Sequence, residues 1–241
     1  MVAVVHRNEG MRGLFKKRRL TIDESTPIDD VRFVVVDTEL TGLDEKKDAI
    51  ISIGAVRMVG GRIDLGNTFY RLVSPGKELD ADNVLIHEIM PSDLAVQPAI
   101  DTVLAKFLDY AGNDVLVGHF ISIDLAFLNR EMKRLYGHEI GNAAIDTFTI
   151  DEWLRKRLKP HASFSKALSG YRLYDIAKNI GITVNGSHNA IADAFTTAQL
   201  LQRFIPLLIE AGIHDIGELL KRGKPFEGGD RFRITGDFGN F

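Results

Sequence analysis

The chain has no cysteine, which excludes disulfide cross-links, thiol catalysis and thiolate-bound metal. Any metal site must then be built from Asp, Glu and His, a ligand set suited to hard cations such as Mg²⁺ or Mn²⁺. Also missing is an apolar run long enough to span a bilayer, and the first twenty residues lack the apolar segment and small-residue cleavage site of a secretory signal. The expectation is a cytoplasmic protein with no membrane partner. Charge of either sign is nearly balanced, 30 basic against 33 acidic residues for a net charge of −3. That argues against coating nucleic acid by bulk electrostatics, while a local basic patch or a bound metal can still attract phosphate.

What is present is enough chain, at 241 residues, for one sizeable core. The expected organisation is an extension over 1–30 carrying a basic and then an acidic block, a domain over 31–210, and a C-terminal helix with a Gly- and aromatic-rich tail over 211–241. The stretch Phe33-Val34-Val35-Val36 reads as a strand buried on both faces. It runs into Asp37-Thr38-Glu39. Side chains alternate along a strand, so Asp37 and Glu39 share one side and Thr38 takes the other. Two adjacent carboxylates at the edge of a core repel unless a cation sits between them. An isolated D-x-E is equally the solvated end of a strand, and the other ligands have to come from elsewhere in the chain.

Strands are expected over 49–59 and 67–73, joined through Gly60-Gly61, and over 115–119. Helices are expected from about 99 to 112, 123 to 135 with Ser122 as its N-cap, 150 to 158 with Asp146 capping, 173 to 179, and 190 to 210 with Pro206 as a kink. Asp124 then falls in the first turn of one helix, facing the sheet, and Asp193 in the first turn of another, with His188 in the loop that feeds it. The blocks Lys16-Lys17-Arg18-Arg19 and 159–172 are candidate phosphate-contacting surfaces, but each reads more simply as a solvated face.

Asp37, Glu39, Asp124 and Asp193 with His188 have the composition of a two-metal site, in which paired ions bind phosphate and activate water. The strings VVVDTELTGL, GHFISIDLAFLN and SHNAIADAFTTAQLL resemble the three exonuclease motifs of the DEDDh family, which includes proofreading subunits of bacterial DNA polymerase III, ribonuclease T and oligoribonuclease. The resemblance implies an α/β fold, a ribonuclease H-like mixed five-stranded sheet flanked by helices. It implies that Asp37, Glu39, Asp124 and Asp193 bind two divalent ions, Mg²⁺ or Mn²⁺, and that His188 is the general base. By the same resemblance the activity is 3′–5′ exonuclease, releasing nucleoside 5′-monophosphates from nucleic acid with a free 3′ end. Thr41, Leu43 and His87 then hold the terminal nucleotide.

Leu40 stands where the family usually has Thr, Glu88 where Gly is usual, and Phe120 where Asn usually follows His. Phe120 could stack on a base or fill core space. Single-stranded DNA is the expected substrate, with RNA 3′ ends or short oligoribonucleotides as an alternative and a non-catalytic nucleic-acid-binding scaffold as another. A DNA polymerase or other replication or repair protein, or a second copy of the chain, are the expected protein partners.

Overall fold

A computed structural model describes residues 22–76, 89–157, 170–184 and 189–226. Its centre is a five-stranded mixed sheet of order β3-β2-β1-β4-β5, formed by β1 (Arg32–Leu40), β2 (Ile50–Val59), β3 (Arg62–Leu72), β4 (Val115–Gly118) and β5 (Ala144–Asp146). The first three strands pair antiparallel; β4 lies parallel to β1 and β5 parallel to β4. The mixed, helix-flanked sheet is the architecture expected above. Among the described residues the helices are α1 (Pro91–Ala95), α2 (Ile100–Ala111), α3 (Ser122–Tyr136), α4 (Thr147–Arg157), α5 (Leu173–Asn179), α6 (Ala190–Glu210) and α7 (Ile216–Arg222), with a 3₁₀ turn at Ile28–Asp30. None of them is long and apolar enough to cross a membrane.

Strand alternation divides the core in two. Phe33 and Val35 join Val115 and Val117 against Leu200, Leu201 and Phe204 of α6. Val34 and Val36, with Leu116, pack on the other face against Phe107 of α2 and Phe127, Leu128 and Met132 of α3. A strand apolar at every position has to be buried on both sides, and β1 at the middle of the sheet is. Its continuation past Val36 therefore aims Asp37 and Glu39 toward the α6 face and Thr38 toward the α3 face. The segments before β1 and after α6 close over the α6 side, where Ile28, Ile213, Ile216 and Leu219 are buried in the same cluster as Phe33. Pro27 and Asp215 there form an isolated antiparallel bridge.

Several boundaries depart from the sequence reading. Strand β3 begins at Arg62, not at 67, directly after the Gly60-Gly61 turn, and its pairing with β2 jumps from Val56↔Thr68 to Arg57↔Asp64. The intervening residues bulge at the sheet edge with Leu65 67% exposed, so no buried alternation marked this half of the strand. Ser122 is not an N-cap: it is the first residue of α3, the preceding Ile121 is already in helical geometry, and the Ser122 hydroxyl is buried without a hydrogen-bond partner. The turn is made one step earlier, where the Phe120 carbonyl accepts from the Ile123 amide. Helix α4 starts at Thr147, three residues before the expected point, because Asp146 Oδ1 accepts from the Phe148 amide (2.9 Å) as a cap does. Pro206 lies inside α6 without ending it; buried Phe204, Ile205 and Leu208 hold that stretch to the sheet despite the missing amide.

One glycine sets how closely α6 approaches. Gly54 of β2 stands opposite Asp37 in the ladder, and a Cβ there would lie 2.2 Å from the Ala190 carbonyl carbon and 2.3 Å from the Ile191 nitrogen. Only a residue without a side chain lets the start of α6 rest on the strand beside Asp37. Gly54→Ala is expected to push the helix start outward and to cost about 1–3 kcal/mol, read as a lower urea midpoint at unchanged m-value. A wild-type midpoint would show that this contact yields freely.

Candidate metal centre and active site

The acids converge where β1 emerges from the core. Asn189 caps α6, its side-chain oxygen accepting from the Ile191 amide (3.2 Å), and its carbonyl accepts from the Asp193 amide. With the helix start pressed against Gly54, Asp193 in the first turn is delivered to the strand end. One ligand oxygen each from Asp37, Glu39 and Asp193 lie within 4.8 Å of one another, and Glu39 and Asp193 are only 6% and 7% exposed. Burial, followed by the charges of Asp124, Glu39 and Asp193, pushes the Asp37 carboxyl well above the ordinary carboxylate range. Three oxygen donors crowded at this separation, with burial penalising the charge of Asp37, suit a divalent hard cation.

Asp124 reaches the site from the opposite face of the sheet. It lies in the first turn of α3, and its Oδ1 accepts from the Thr38 amide (2.9 Å) and the Thr38 hydroxyl (2.6 Å). Thr38 points to the α3 side because Asp37 and Glu39 point to the α6 side. Asp124 is thereby held at the flank of the trio, close enough for its charge to raise Asp37. Its own carboxyl is pushed up to about 7, by burial first, with the Thr38 hydrogen bonds opposing.

The residues expected to contact substrate are placed unequally. Thr41 is buried at 4% exposure, and its hydroxyl is used within the β1–β2 loop, donating to Asp48 Oδ1 (2.9 Å) and accepting from the Ala49 amide (3.0 Å). Leu43 is 51% exposed on the same loop. Phe120 is half-buried with φ 55°, a left-handed conformation that costs a bulky L-residue roughly 1–2 kcal/mol. Asn tolerates that region well, so Phe at this position needs other support. The Phe120 amide donates to Asp146 Oδ1 (3.0 Å) and its ring lies 4.5 Å from that of Phe148. His188 and His87 lie outside the described residues, as does most of the basic stretch 159–172.

Two positions at the centre escaped the sequence reading, Thr38 as the holder of Asp124 and Gly54 as the seat of α6. Gly54 carried a signal, since a glycine inside a strand marks close backbone approach. A third, Tyr174 of α5, donates its hydroxyl hydrogen to Asp193 Oδ1 (2.5 Å).

Residues 34–201 match the RNase_T family, described as exonuclease. The chain belongs to this exonuclease family. It is 34% identical to the DNA polymerase III subunit epsilon of Aquifex aeolicus over 81% of this chain and 92% of that protein. It is 35% identical to a DNA polymerase III subunit epsilon-like protein of Rhodobacter capsulatus, where the match spans 81% of this chain but 27% of the relative. The fold is shared with E. coli exonuclease I, solved with a dT13 oligonucleotide (TM-score 0.63, 18% identity, 75% of this chain and 42% of that chain). It is shared also with exonuclease X, solved with 5′-overhanging duplex DNA (TM-score 0.56, 24% identity, 79% and 99%). Asp37, Glu39, Asp124 and Asp193 all lie within the residues 34–201 that match this exonuclease family.

The raised Asp124 carboxyl gives a testable sign. Its folded value lies above the free-acid value of 3.8, so without metal its contribution favours folding at low pH and is lost as pH rises through about 7. Asp124→Asn, which keeps an oxygen acceptor for Thr38, should melt above wild type in chelator at about pH 8, with the gap closing toward about pH 4. A gap independent of pH would mean the effect is not one of ionisation.

Proposed function

We propose that the chain is a divalent-metal-dependent 3′–5′ exonuclease that removes nucleoside 5′-monophosphates from the 3′ end of single-stranded DNA. The observation that carries the reading is the convergence of Asp37, Glu39 and Asp193 at the end of β1, with Asp124 held alongside by Thr38. Those four carboxylates are the proposed metal ligands. Bound there, two Mg²⁺ or Mn²⁺ ions would make a water more acidic and offset charge on the phosphate. The part of the protein is to keep the acids in place without rearrangement, and the β1 core and the Gly54 contact support that. His188, next to the α6 cap in sequence, accepts the proton from the attacking water at a ring nitrogen. The water oxygen bonds to phosphorus as the P–O3′ bond breaks, and the leaving 3′ oxygen takes a proton from solvent, giving a 5′-monophosphate and a new 3′ hydroxyl on the shortened strand.

Leu43, exposed on a loop closed by Thr41 and Asp48, offers an apolar face to the terminal base, and Phe120 a ring for stacking. The names of the epsilon-subunit relatives support a replicative polymerase as the protein partner. The oligonucleotide complex of exonuclease I favours single-stranded DNA as the substrate class.

The test is cleavage of 5′-labelled single-stranded DNA, duplex DNA and RNA in Mg²⁺ or Mn²⁺. Single-stranded DNA should give a ladder that shortens from the 3′ end, with slower cleavage of the other two; RNA cut faster than DNA would reassign the substrate, and binding without product in either metal would overturn the reading. Asp193→Asn should abolish product while retaining the wild-type circular dichroism spectrum. His188→Ala should lose about 10²-fold or more in kcat together with the rise in rate through about pH 6.5; an unaltered pH profile would remove His188 from the mechanism.

A further inference from the structure

Resting on the metal-site reading above, we infer that Tyr174 is a positioning residue for the ion, acting through Asp193. Its hydroxyl donates to Asp193 Oδ1 (2.5 Å). A phenol can satisfy one carboxylate lone pair without bringing a competing positive charge, and it fixes the plane in which the carboxylate presents itself to a cation. Lys or Arg in the same place would neutralise the acid and compete with the metal.

The tyrosine is itself held in place. The short helix α5 that carries it follows Gly170, whose φ is +107° and where a Cβ would lie 2.2 Å from Asp175 Oδ2. Next comes Tyr171, whose carbonyl lies 2.9 Å from His119 Nε2. A carbonyl only accepts, so Nε2 carries the hydrogen, and Nδ1 faces the Thr147 hydroxyl at 2.9 Å. Burial pulls the His119 value down to about 4, so this tether is a neutral imidazole at physiological pH. His119 closes β4, the strand beside β1. A line thus runs from β4 through His119, the Tyr171 carbonyl and Tyr174 to Asp193, separate from the cap of its own helix. The ligand is set from two elements of the sheet rather than one.

The test uses the full chain and Mn²⁺ alone, with binding followed by titration calorimetry and without substrate. Tyr174→Phe should bind Mn²⁺ about 10-fold more weakly, and in cleavage the Mg²⁺ concentration for half-maximal rate should rise while kcat at saturating Mg²⁺ falls far less. On an Asp193→Asn background, Tyr174→Phe should cause no further loss of Mn²⁺ affinity. Wild-type affinity in Tyr174→Phe, or an equal loss in both backgrounds, would overturn the proposal, as would absence of Mn²⁺ binding by the wild type. A thermal midpoint of the metal-free variant near that of wild type excludes unfolding as the cause; collapse of the midpoint would assign the phenol to the fold and reject the positioning role. Mn²⁺ binding without cleavage of any nucleic acid would sink the exonuclease reading while leaving this one standing.

Discussion

Mutual repulsion among carboxylates at the end of β1 is the constraint around which the rest of the molecule is arranged. Asp37, Glu39 and Asp193 offer ligand oxygens within 4.8 Å of one another, and burial raises the cost of charging Asp37. Left to local preference these side chains would separate into water. They stay together because each is rooted in an element the core cannot release: β1 is buried on both faces, and α6 is buried along its length through Ala194, Ala198, Leu201, Phe204 and Leu208. Hydrophobic burial at one end of the strand therefore holds an electrostatically unfavourable arrangement at the other, in the geometry a divalent ion needs.

Delivery from both faces of the sheet is the second consequence. The alternation that sends Asp37 and Glu39 toward α6 sends Thr38 toward α3, where its amide and hydroxyl receive Asp124. One three-residue segment thus supplies two acids and the anchor for a third. Asp146 plays a related part at the end of β5, where a single oxygen accepts from the Phe120 and Phe148 amides and so fixes the left-handed turn that starts α3. Burial lifts the Asp146 carboxyl to about 6, with those amides opposing. Acids near the centre therefore divide into those that bind backbone and those that face one another.

The loop that follows β1 is similarly constrained. Thr41 and Asp48 close it from within, while Arg130 of α3 donates to the carbonyls of Glu45 and Asp48 and pairs with buried Glu131. Leu43 is thus exposed from a loop tied to the same helix that carries Asp124 in its first turn. A residue presented this way meets a ligand with little ordering cost, which suits the proposed role of Leu43 against a terminal base.

Much of this was legible in the residues. The apolar run of β1, the first-turn positions of Asp124 and Asp193 and the spacing of the motifs all follow from local periodicity and chirality, which a chain carries at every point. The bulged half of β3 was not, because an exposed edge strand has no alternation to display, and Ser122 misled because capping depends on where the preceding turn is made. Which acids lie in the tight trio and which stands at its flank is a matter of which face each helix covers. No segment encodes that alone. The same holds for Tyr174, 19 positions before Asp193 in the chain and joined to it only once β4, α5 and α6 have packed. Sequence by itself determined the ligand types and the elements that carry them; tertiary structure decided their partners, because a hydrogen bond between distant elements exists only after hydrophobic burial has set the distance between them.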